Sequence, residues 1–393
     1  MSNSQPPEQY ANKLFVNRVD EIDFVRRKLE QALEGQILEK RTTIFTGEHG
    51  MGKSWLLHHL RENLASPQVV TRYFNLENYF KQPDLGQAAQ QLCAELWQAL
   101  FKTTMPACSS LEQATRVLIT AVKEQILPQQ ALMLLTDTVY EAPPAFLSAL
   151  NDYILSAFAI EPKVLLVLAG RGREYVFQAP ELRLRADFIT LLPFNQIETQ
   201  AQLQCQLPDK AGNTEQVYAI TQGNPKANGL LAASDNSPAA LSPLIDDMLA
   251  PIELTDRALI RTYLEALAIP RRFDYSHVPH LLSAYHKDEK YKQLSRREVR
   301  KIFDQLLDPG LIFWNTTQLA YTIHNSTRNI LLQYLKAIQV DRCRRLHLAC
   351  VDLYQAWVAS GSRNADQWQA ELEYHKNQLR FLDSNGISGN NLD

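Results

Sequence analysis

The chain contains 393 residues, with 40 Lys and Arg against 43 Asp and Glu and a formal net charge of −3. This balance excludes a protein that is basic over its whole surface, although one basic module can still lie within it. The N-terminal stretch lacks the apolar core of a secretory signal, and no apolar run reaches the roughly 18 residues of a membrane span. Five cysteines without a CxxC pair are expected to be reduced thiols in a cytoplasmic protein.

In chain order, residues 1–12 predict a disordered leader, and residues 13–195 alternate short buried-strand runs with helical stretches. This alternation predicts an α/β domain with a parallel sheet flanked by helices. The predicted strands are 42–47, 69–75, 131–137, 164–170 and 187–193. The helices predicted between them include 54–64, 86–103, 111–125 and 143–159.

The second half of the chain is predicted to be mainly helical. Residues 196–232 read as helices with short polar loops, and the small and polar residues of 232–243 predict a linker. Residues 244–340 predict helices followed by two short strands around a polar turn, in GLIFWNTTQLAYTIH. Residues 341–393 predict helical hairpins and a loose tail that starts at residue 383.

The stretch GEHGMGKS follows the first strand, opens a helix and fits the phosphate-binding P-loop pattern G-x-x-x-x-G-K-[ST]. Its three glycines let the backbone curl so that several N–H groups converge on phosphate oxygens. Lys53 is expected to bridge the β- and γ-phosphates, and the Ser54 hydroxyl is expected to hold Mg²⁺. The predicted phosphate-binding residues are Gly47, Glu48, His49, Gly50, Met51, Gly52, Lys53 and Ser54.

Three further residues are candidates for metal binding and catalysis. Asp137 ends the strand ALMLLTD, where a Walker B aspartate would hold the metal, although it can also be a turn or capping residue. Glu141 is the nearby carboxylate that can polarise an attacking water, or it is a solvated loop residue. Arg171 follows the strand VLLVLAG as the candidate γ-phosphate sensor, and Arg173 is its rival.

Several stretches together resemble the STAND ATPases, a class of P-loop signalling proteins related to AAA+ ATPases. LFVNRVDE at 14–21 resembles their FxGRxxE entry motif, with Asn17 in place of the usual glycine. LLTDTVYEA resembles their Walker B segment, with Tyr140 in place of a second acid. TQGNPKAN at 221–228 resembles the GxP motif of their helical lid, and Ile323-His324-Asn325 resembles the MHD motif that ends their winged helix.

The resemblance implies a nucleotide-binding domain at 13–195, a lid at 196–243 and a winged helix at 244–340. It implies ATP or ADP with Mg²⁺ as ligands, opening and homo-oligomer formation in the ATP state, and slow ATP hydrolysis as a reset. It also implies that protein partners supply an effector or sensor, or that the chain is a piece of a longer protein. The nucleotide contacts that it adds are Val16, Arg18, Trp55, Pro225 and His324.

Two other functions stay open from the sequence. Residues 286–301 carry seven Lys or Arg against three Asp or Glu at the predicted recognition helix of the winged helix. Basic residues at that place suit DNA phosphates, which favours an initiator-like or transposition-like AAA+ ATPase, although they can also form a solvated helix face. Tyr140 favours a third possibility, a nucleotide-binding scaffold without turnover.

Overall fold

The computed structural model describes residues 10–80, 82, 84–171, 177–250, 252, 254–361 and 365–386. The chain folds into two compact units, a first unit from Pro7 to Leu192 and a second unit from Pro193 to Asp393. Within the described residues, no helix combines the length and apolarity that crossing a bilayer requires.

The first unit is built on a five-stranded parallel sheet with the strand order β2-β3-β4-β1-β5. Every residue of the two strands β3 and β4 is buried, as expected for parallel strands covered on both faces. The strands are β1 (Thr42–Thr46), β2 (Val69–Asn75), β3 (Ala131–Asp137), β4 (Val164–Ala169) and β5 (Ala186–Thr190). The predicted parallel α/β class is confirmed. The fifth strand ends at Thr190, earlier than predicted, because its partner β1 ends opposite it at Thr46.

Helices cover both faces of this sheet, because alternate strand residues point to opposite sides. Leu132 and Leu134 pack with the later helices, whereas Met133 and Leu135 pack with the first two. The helices are α1 (Val19–Leu33), α2 (Lys53–Asn63), α3 (Glu77–Phe80), α4 (Leu85–Phe101), α5 (Leu111–Gln125), α6 (Pro144–Ala149), α7 (Ser156–Ala159) and α8 (Pro180–Arg183). The helix predicted at 143–159 is not a regular α-helix, since a π-helical segment, Leu150–Leu155, joins α6 to α7.

The predicted leader is only partly described, because residues 1–9 lie outside the described residues. The end of that segment contacts α2. The Tyr10 hydroxyl lies 3.2 Å from Nδ1 of His59, and Asn12 Nδ2 donates to Asn63 Oδ1 at 3.2 Å. These residues are therefore held on the helix that follows the P-loop.

The second unit is helical apart from one β-hairpin and has one continuous apolar core. Its helices are α9 (Gln196–Gln206), α10 (Thr214–Thr221), α11 (Pro225–Ala233), α12 (Leu241–Met248), α13 (Leu254–Leu267), α14 (His277–His286), α15 (Arg296–Leu307), α16 (Asn325–Ile338), α17 (Val340–Ala359) and α18 (Ala365–Gly386). The segment predicted as a linker ends α11, makes a turn and begins α12, with Ala232 and Leu241 fully buried. Its small residues pack closely here and do not form an extended connection.

The elements α13, α14 and α15, followed by the hairpin of β6 (Phe313–Asn315) and β7 (Ala320–Thr322), have the order of a winged helix. The hairpin confirms the two short strands predicted around a polar turn. Phe273 adds a single bridge to this hairpin, since its backbone pairs with that of Tyr321 in β7 through two N–H···O bonds of 2.9 Å. The division of the second unit into lid, winged-helix and C-terminal domains stays a prediction. The predicted loose tail starts later than expected, since α18 continues to Gly386, and residues 387–393 lie outside the described residues.

Candidate functional site

The P-loop connects β1 to α2 through three glycines in the left-handed region, with φ of 141° at Gly47, 81° at Gly50 and 86° at Gly52. A Cβ on Gly47 would also lie 2.9 Å from the Leu191 carbonyl oxygen. L-residues with side chains rarely adopt these conformations, so the glycines permit this path of the loop. Gly52 is the N-cap of α2, which places the positive end of that helix at the loop.

Lys53 begins α2 and is 9% exposed. Its Nζ donates to the carbonyl oxygens of Gly47, at 2.7 Å, and Glu48, at 2.8 Å. Burial lowers the pKa of Lys53 to about 8, against the opposing attraction of Glu141, Asp137 and Glu48. Lys53 follows β1, Asp137 ends β3 and Arg171 follows β4, so these residues lie at the carboxyl edge of one parallel sheet.

Asp137 ends β3 and is 3% exposed. Its Oδ2 accepts from the Tyr73 hydroxyl at 3.1 Å, and its Oδ1 accepts from the Thr138 N–H at 2.9 Å. Burial and the Asp137 charge raise the pKa of Tyr73, so the phenol stays a donor. Thr138 has a φ of 57°, which is unusual for a β-branched residue, and its hydroxyl donates to Asn75 Oδ1 at 2.6 Å.

Sequence reasoning missed Tyr73, Asn75 and Thr138. Asn75 lies opposite Asp137 in the β2–β3 register, so these polar residues surround the acid only because the two strands pair. The sequence signal that could have found them was the polar end of the strand VVTRYFN. This strand is β2, the neighbour of β3, which Asp137 ends.

Glu141, in the loop after β3, forms an ion pair with Arg171, which follows β4. Arg171 Nε lies 3.3 Å from Glu141 Oε1, and the Arg171 N–H donates to Glu141 Oε2 at 3.2 Å. Arg171 Nη1 also donates to His49 Nδ1 of the P-loop, at 2.5 Å. Burial raises the pKa of Glu141, with Arg171 and Lys53 opposing that change. The structure thus brings both predicted residues to the P-loop, whereas the rival Arg173 lies outside the described residues.

Val16, Arg18 and Trp55 are predicted nucleotide contacts beside the P-loop. Val16 is half-buried, and the Trp55 ring meets the Tyr10 ring edge to face at 5.5 Å between centroids. Arg18 is 6% exposed, and its guanidinium donates to main-chain carbonyls. Asn17, which replaces the glycine of the entry motif, has a φ of 64°, a conformation that Asn tolerates better than most residues.

Pro225 and His324 belong to the second unit. Pro225 is the first residue of α11, which Asn224 caps by accepting from the Ala227 N–H at 3.1 Å. His324 is the N-cap of α16, and its ring stacks on Phe313 with 4.2 Å between centroids. Their contacts with a nucleotide stay a prediction.

Ser54 and Asp137, the residues predicted to bind Mg²⁺, carry the oxygen ligands that this ion uses at nucleotide sites. Within the described residues, no group of three or more His, Cys, Asp or Glu side chains is arranged to hold a metal ion. Mg²⁺ at nucleotide sites uses one or two protein oxygens together with phosphates and water. The exposed Ser54 at the start of α2 and the buried Asp137 offer such a set.

No protein-family model and no curated protein matches the chain by sequence. Among solved structures, a Walker-type ATPase of Pyrococcus abyssi superposes with a TM-score of 0.54 at 16% identity, over 81% of this chain and 96% of that one. Cdc6p from Pyrobaculum aerophilum has a TM-score of 0.42 at 14% identity, over 85% and 97% of the two chains. The ORC1 protein of Aeropyrum pernix, solved in complex with DNA, has a TM-score of 0.42 at 13% identity, over 81% and 92%. The superposition on the Walker-type ATPase shows that the chain has the fold of a P-loop ATPase.

Proposed function

We propose that the chain is an ATP- and ADP-binding molecular switch of the STAND type that hydrolyses ATP slowly. The observation that supports the proposal is that Lys53, Asp137, Glu141 and Arg171 follow or end the strands β1, β3 and β4 at one edge of the sheet, where Arg171 pairs with Glu141 and bonds His49 of the P-loop. A cation beside an N–H cradle and a carboxylate two strands away in the sheet are parts that phosphoryl transfer requires.

Each residue has a distinct part in this proposal. Lys53 binds the β- and γ-phosphates, while Ser54 and Asp137 hold the Mg²⁺ that accompanies them. Glu141 orients the attacking water, and Arg171 binds the γ-phosphate. Arg171 engages both oxygens of Glu141 through its Nε and its backbone N–H; these contacts would compete with the orientation of a water, which is consistent with slow turnover.

The switch depends on contacts that distinguish ATP from ADP. Pro225 and His324 are proposed to contact the nucleotide in the closed state, and loss of the ADP-specific contacts would release the oligomer-forming state. Reversing a two-state equilibrium from about 1:99 to 99:1 takes about 5.5 kcal/mol of differential binding. A γ-phosphate with Mg²⁺ that recruits Arg171 is a chemically sufficient source of that difference.

The test is to identify the nucleotide that co-purifies with the protein and to weigh the particle with ADP and with ATP. Lys53→Ala is expected to lower nucleotide affinity about 100-fold, because a charged phosphate contact is lost, and to abolish assembly. Arg116→Ala is the control, since Arg116 pairs with Glu112 on the exposed face of α5. Normal assembly of Lys53→Ala would refute the switch.

Glu141→Gln separates the switch from a scaffold without turnover. A hydrolytic switch with this substitution is expected to accumulate as the ATP-bound oligomer, because the reset is lost while phosphate binding remains. A scaffold would behave the same with and without the substitution. Phosphate release and particle mass, measured on the same sample, distinguish the two.

DNA binding is a second candidate function, and the surface of α15 favours it. The buried face of this helix consists of Val299, Ile302, Phe303 and Leu306. On the opposite face Arg296, Arg297, Arg300 and Lys301 are exposed, and no hydrogen bond or ion pair to another described residue engages their charged groups. Unpaired cations on the recognition helix of a winged helix are available to phosphates.

A mobility shift with duplex DNA at several salt concentrations tests this second function. The double substitution Arg297→Glu and Arg300→Glu is expected to weaken binding and to reduce the salt slope by about two. The control is Arg116→Glu, on the exposed face of α5 in the first unit. A shift that persists unchanged in the double variant would exclude this surface.

A further inference from the structure

Arg18 is buried between the P-loop and the end of the first unit. Its Nη2 donates to the Met51 carbonyl oxygen at 3.0 Å and to the Leu192 carbonyl oxygen at 2.8 Å. Its Nη1 lies 3.4 Å from Glu21 Oε1, which orients the guanidinium from within the same helix. One planar group therefore joins the middle of the P-loop to the segment that leaves β5.

The backbone at this position is unusual, which indicates that the placement of Arg18 is determined by its surroundings. Asn17 and Arg18 both have a φ of 64°, and two consecutive non-glycine residues rarely adopt this conformation. Such conformations persist when neighbouring contacts over-determine them, and they concentrate at functional sites. Here the turn directs the side chain of Arg18 back toward the P-loop, away from solvent.

The bond to Met51 sets the direction of the next peptide N–H. In a trans peptide the carbonyl and the following N–H point in opposite directions, and no cis peptide occurs in the described residues. Because Arg18 holds the Met51 carbonyl on its own side, the Gly52 N–H is directed to the other side. Rotation of this peptide changes ψ of Met51 and φ of Gly52, and a glycine at position 52, with its positive φ, offers little resistance to that change.

We propose that Arg18 is a positioning residue that holds the Met51–Gly52 peptide so that the Gly52 N–H faces the bound phosphates. This inference rests on the proposed nucleotide site, but it assigns Arg18 to the P-loop backbone and not to the nucleotide. Without the guanidinium, the Met51–Gly52 peptide rotates and one donor of the cradle is lost part of the time. The Leu192 contact fixes the same guanidinium to the end of the unit, so the loop has a rigid support.

The experiment compares Arg18→Met, Arg18→Lys and the control Arg26→Met, which removes an exposed arginine from the same helix. Arg18→Met is expected to weaken the binding of ADP and of inorganic pyrophosphate by the same factor, about tenfold or more, because both ligands lose the same N–H donor of the P-loop. Arg18→Lys keeps the charge but lacks the planar fork, so we expect partial rescue at most. Arg26→Met is expected to bind both ligands as the wild type does.

A measurement without ligand separates positioning from direct contact. The chain has 14 glycines, so the amide signals of Gly50 and Gly52 can be assigned in a two-dimensional NMR spectrum. In ligand-free Arg18→Met these two signals are expected to broaden or split, while the other glycines keep their positions. Should Arg18→Met unfold, Arg18→Lys provides the same comparison.

Two results would overturn the proposal. One is an ADP affinity that falls while pyrophosphate binding is unchanged, which would place Arg18 on the base or ribose. The other is a ligand-free spectrum with unchanged Gly50 and Gly52 signals. If the wild type binds neither ADP nor pyrophosphate, the proposed function fails, and the glycine signals still decide the role of Arg18.

Discussion

Gly170 permits the close approach of residues 138–141, the loop that follows β3, to the end of β4, and Gly170→Ala is expected to disturb that loop. An added Cβ would lie 2.6 Å from the Tyr140 nitrogen and 3.2 Å from Glu141 Oε2. The first distance is 0.8 Å below the 3.4 Å at which ordinary contact begins (3.4 − 2.6). The Tyr140 nitrogen is a backbone atom, so the backbone must move to relieve this clash. The hydrogen bond from the Val139 N–H to the Ala169 carbonyl oxygen, at 2.9 Å, holds the loop against β4 and opposes that movement.

Overpacking of this kind costs about 1–3 kcal/mol, which lowers the melting temperature of a unit of this size by roughly 2–12 °C. Displacing Glu141 also disturbs the candidate base, and errors approaching 1 Å in catalytic geometry cost about 100-fold in rate. We therefore expect ATP hydrolysis to fall about 10- to 100-fold while ADP affinity changes little, since the P-loop follows a different strand. Thermal unfolding, ADP titration and phosphate release measure the three quantities.

The control for this variant is Gly212→Ala, because a Cβ at Gly212 meets nothing within 4 Å. It is expected to melt, bind and hydrolyse as the wild type does. If Gly170→Ala also melts and hydrolyses as the wild type does, the steric reasoning about the loop that follows β3 is refuted.

Two further expectations concern the P-loop lysine and the GxP glycine. Burial lowers the pKa of ligand-free Lys53 to about 8, whereas a phosphate favours its charged form, so binding above pH 8 must take up a proton. The ADP dissociation constant is expected to rise with pH above 8, by at most about tenfold per unit, and Lys53→Arg should abolish this slope; a flat wild-type profile would contradict the lowered pKa. Gly223→Ala would place a Cβ 1.7 Å from the Phe194 carbonyl oxygen at a φ of 78°, and we expect urea unfolding to show a loss of about 3 kcal/mol or more. Gly361→Ala, with a φ of 65° and open space, should lose only the backbone strain of about 1–2 kcal/mol, and equal losses in the two variants would refute the clash.

The predicted strands of the first unit were readable because each is a short apolar run between turn or helix signals, although the sheet buries only β3 and β4 completely. Four of the five begin where the sequence places them, and β5 begins one residue earlier. The glycine spacing likewise predicts the P-loop, since only glycine adopts the positive φ observed at all three positions without strain. The strand positions and the P-loop can therefore be predicted from short stretches of sequence, without knowledge of the tertiary structure.

The helix at 143–159 and the segment at 232–243 were harder to read. Composition does not report a π-helical segment such as Leu150–Leu155, because its residues have ordinary helical character. Small and polar residues at 232–243 predict a linker, but small side chains also allow close helix packing, and the buried Leu241 belongs to the core of the second unit. Burial in a core depends on neighbours that local sequence does not specify.

By itself, the sequence determined the α/β class of the first unit, the P-loop and the presence of acidic and basic candidates after β3 and β4. Strand burial and glycine conformation are properties of a few adjacent residues, so they are visible in the order of residues. Only the tertiary structure decided that Tyr73 supports Asp137, that Arg171 pairs with Glu141 and that Arg18 bonds the P-loop backbone. Those contacts join residues 30 to 64 positions apart, and strand register and helix placement select the partner of each charge.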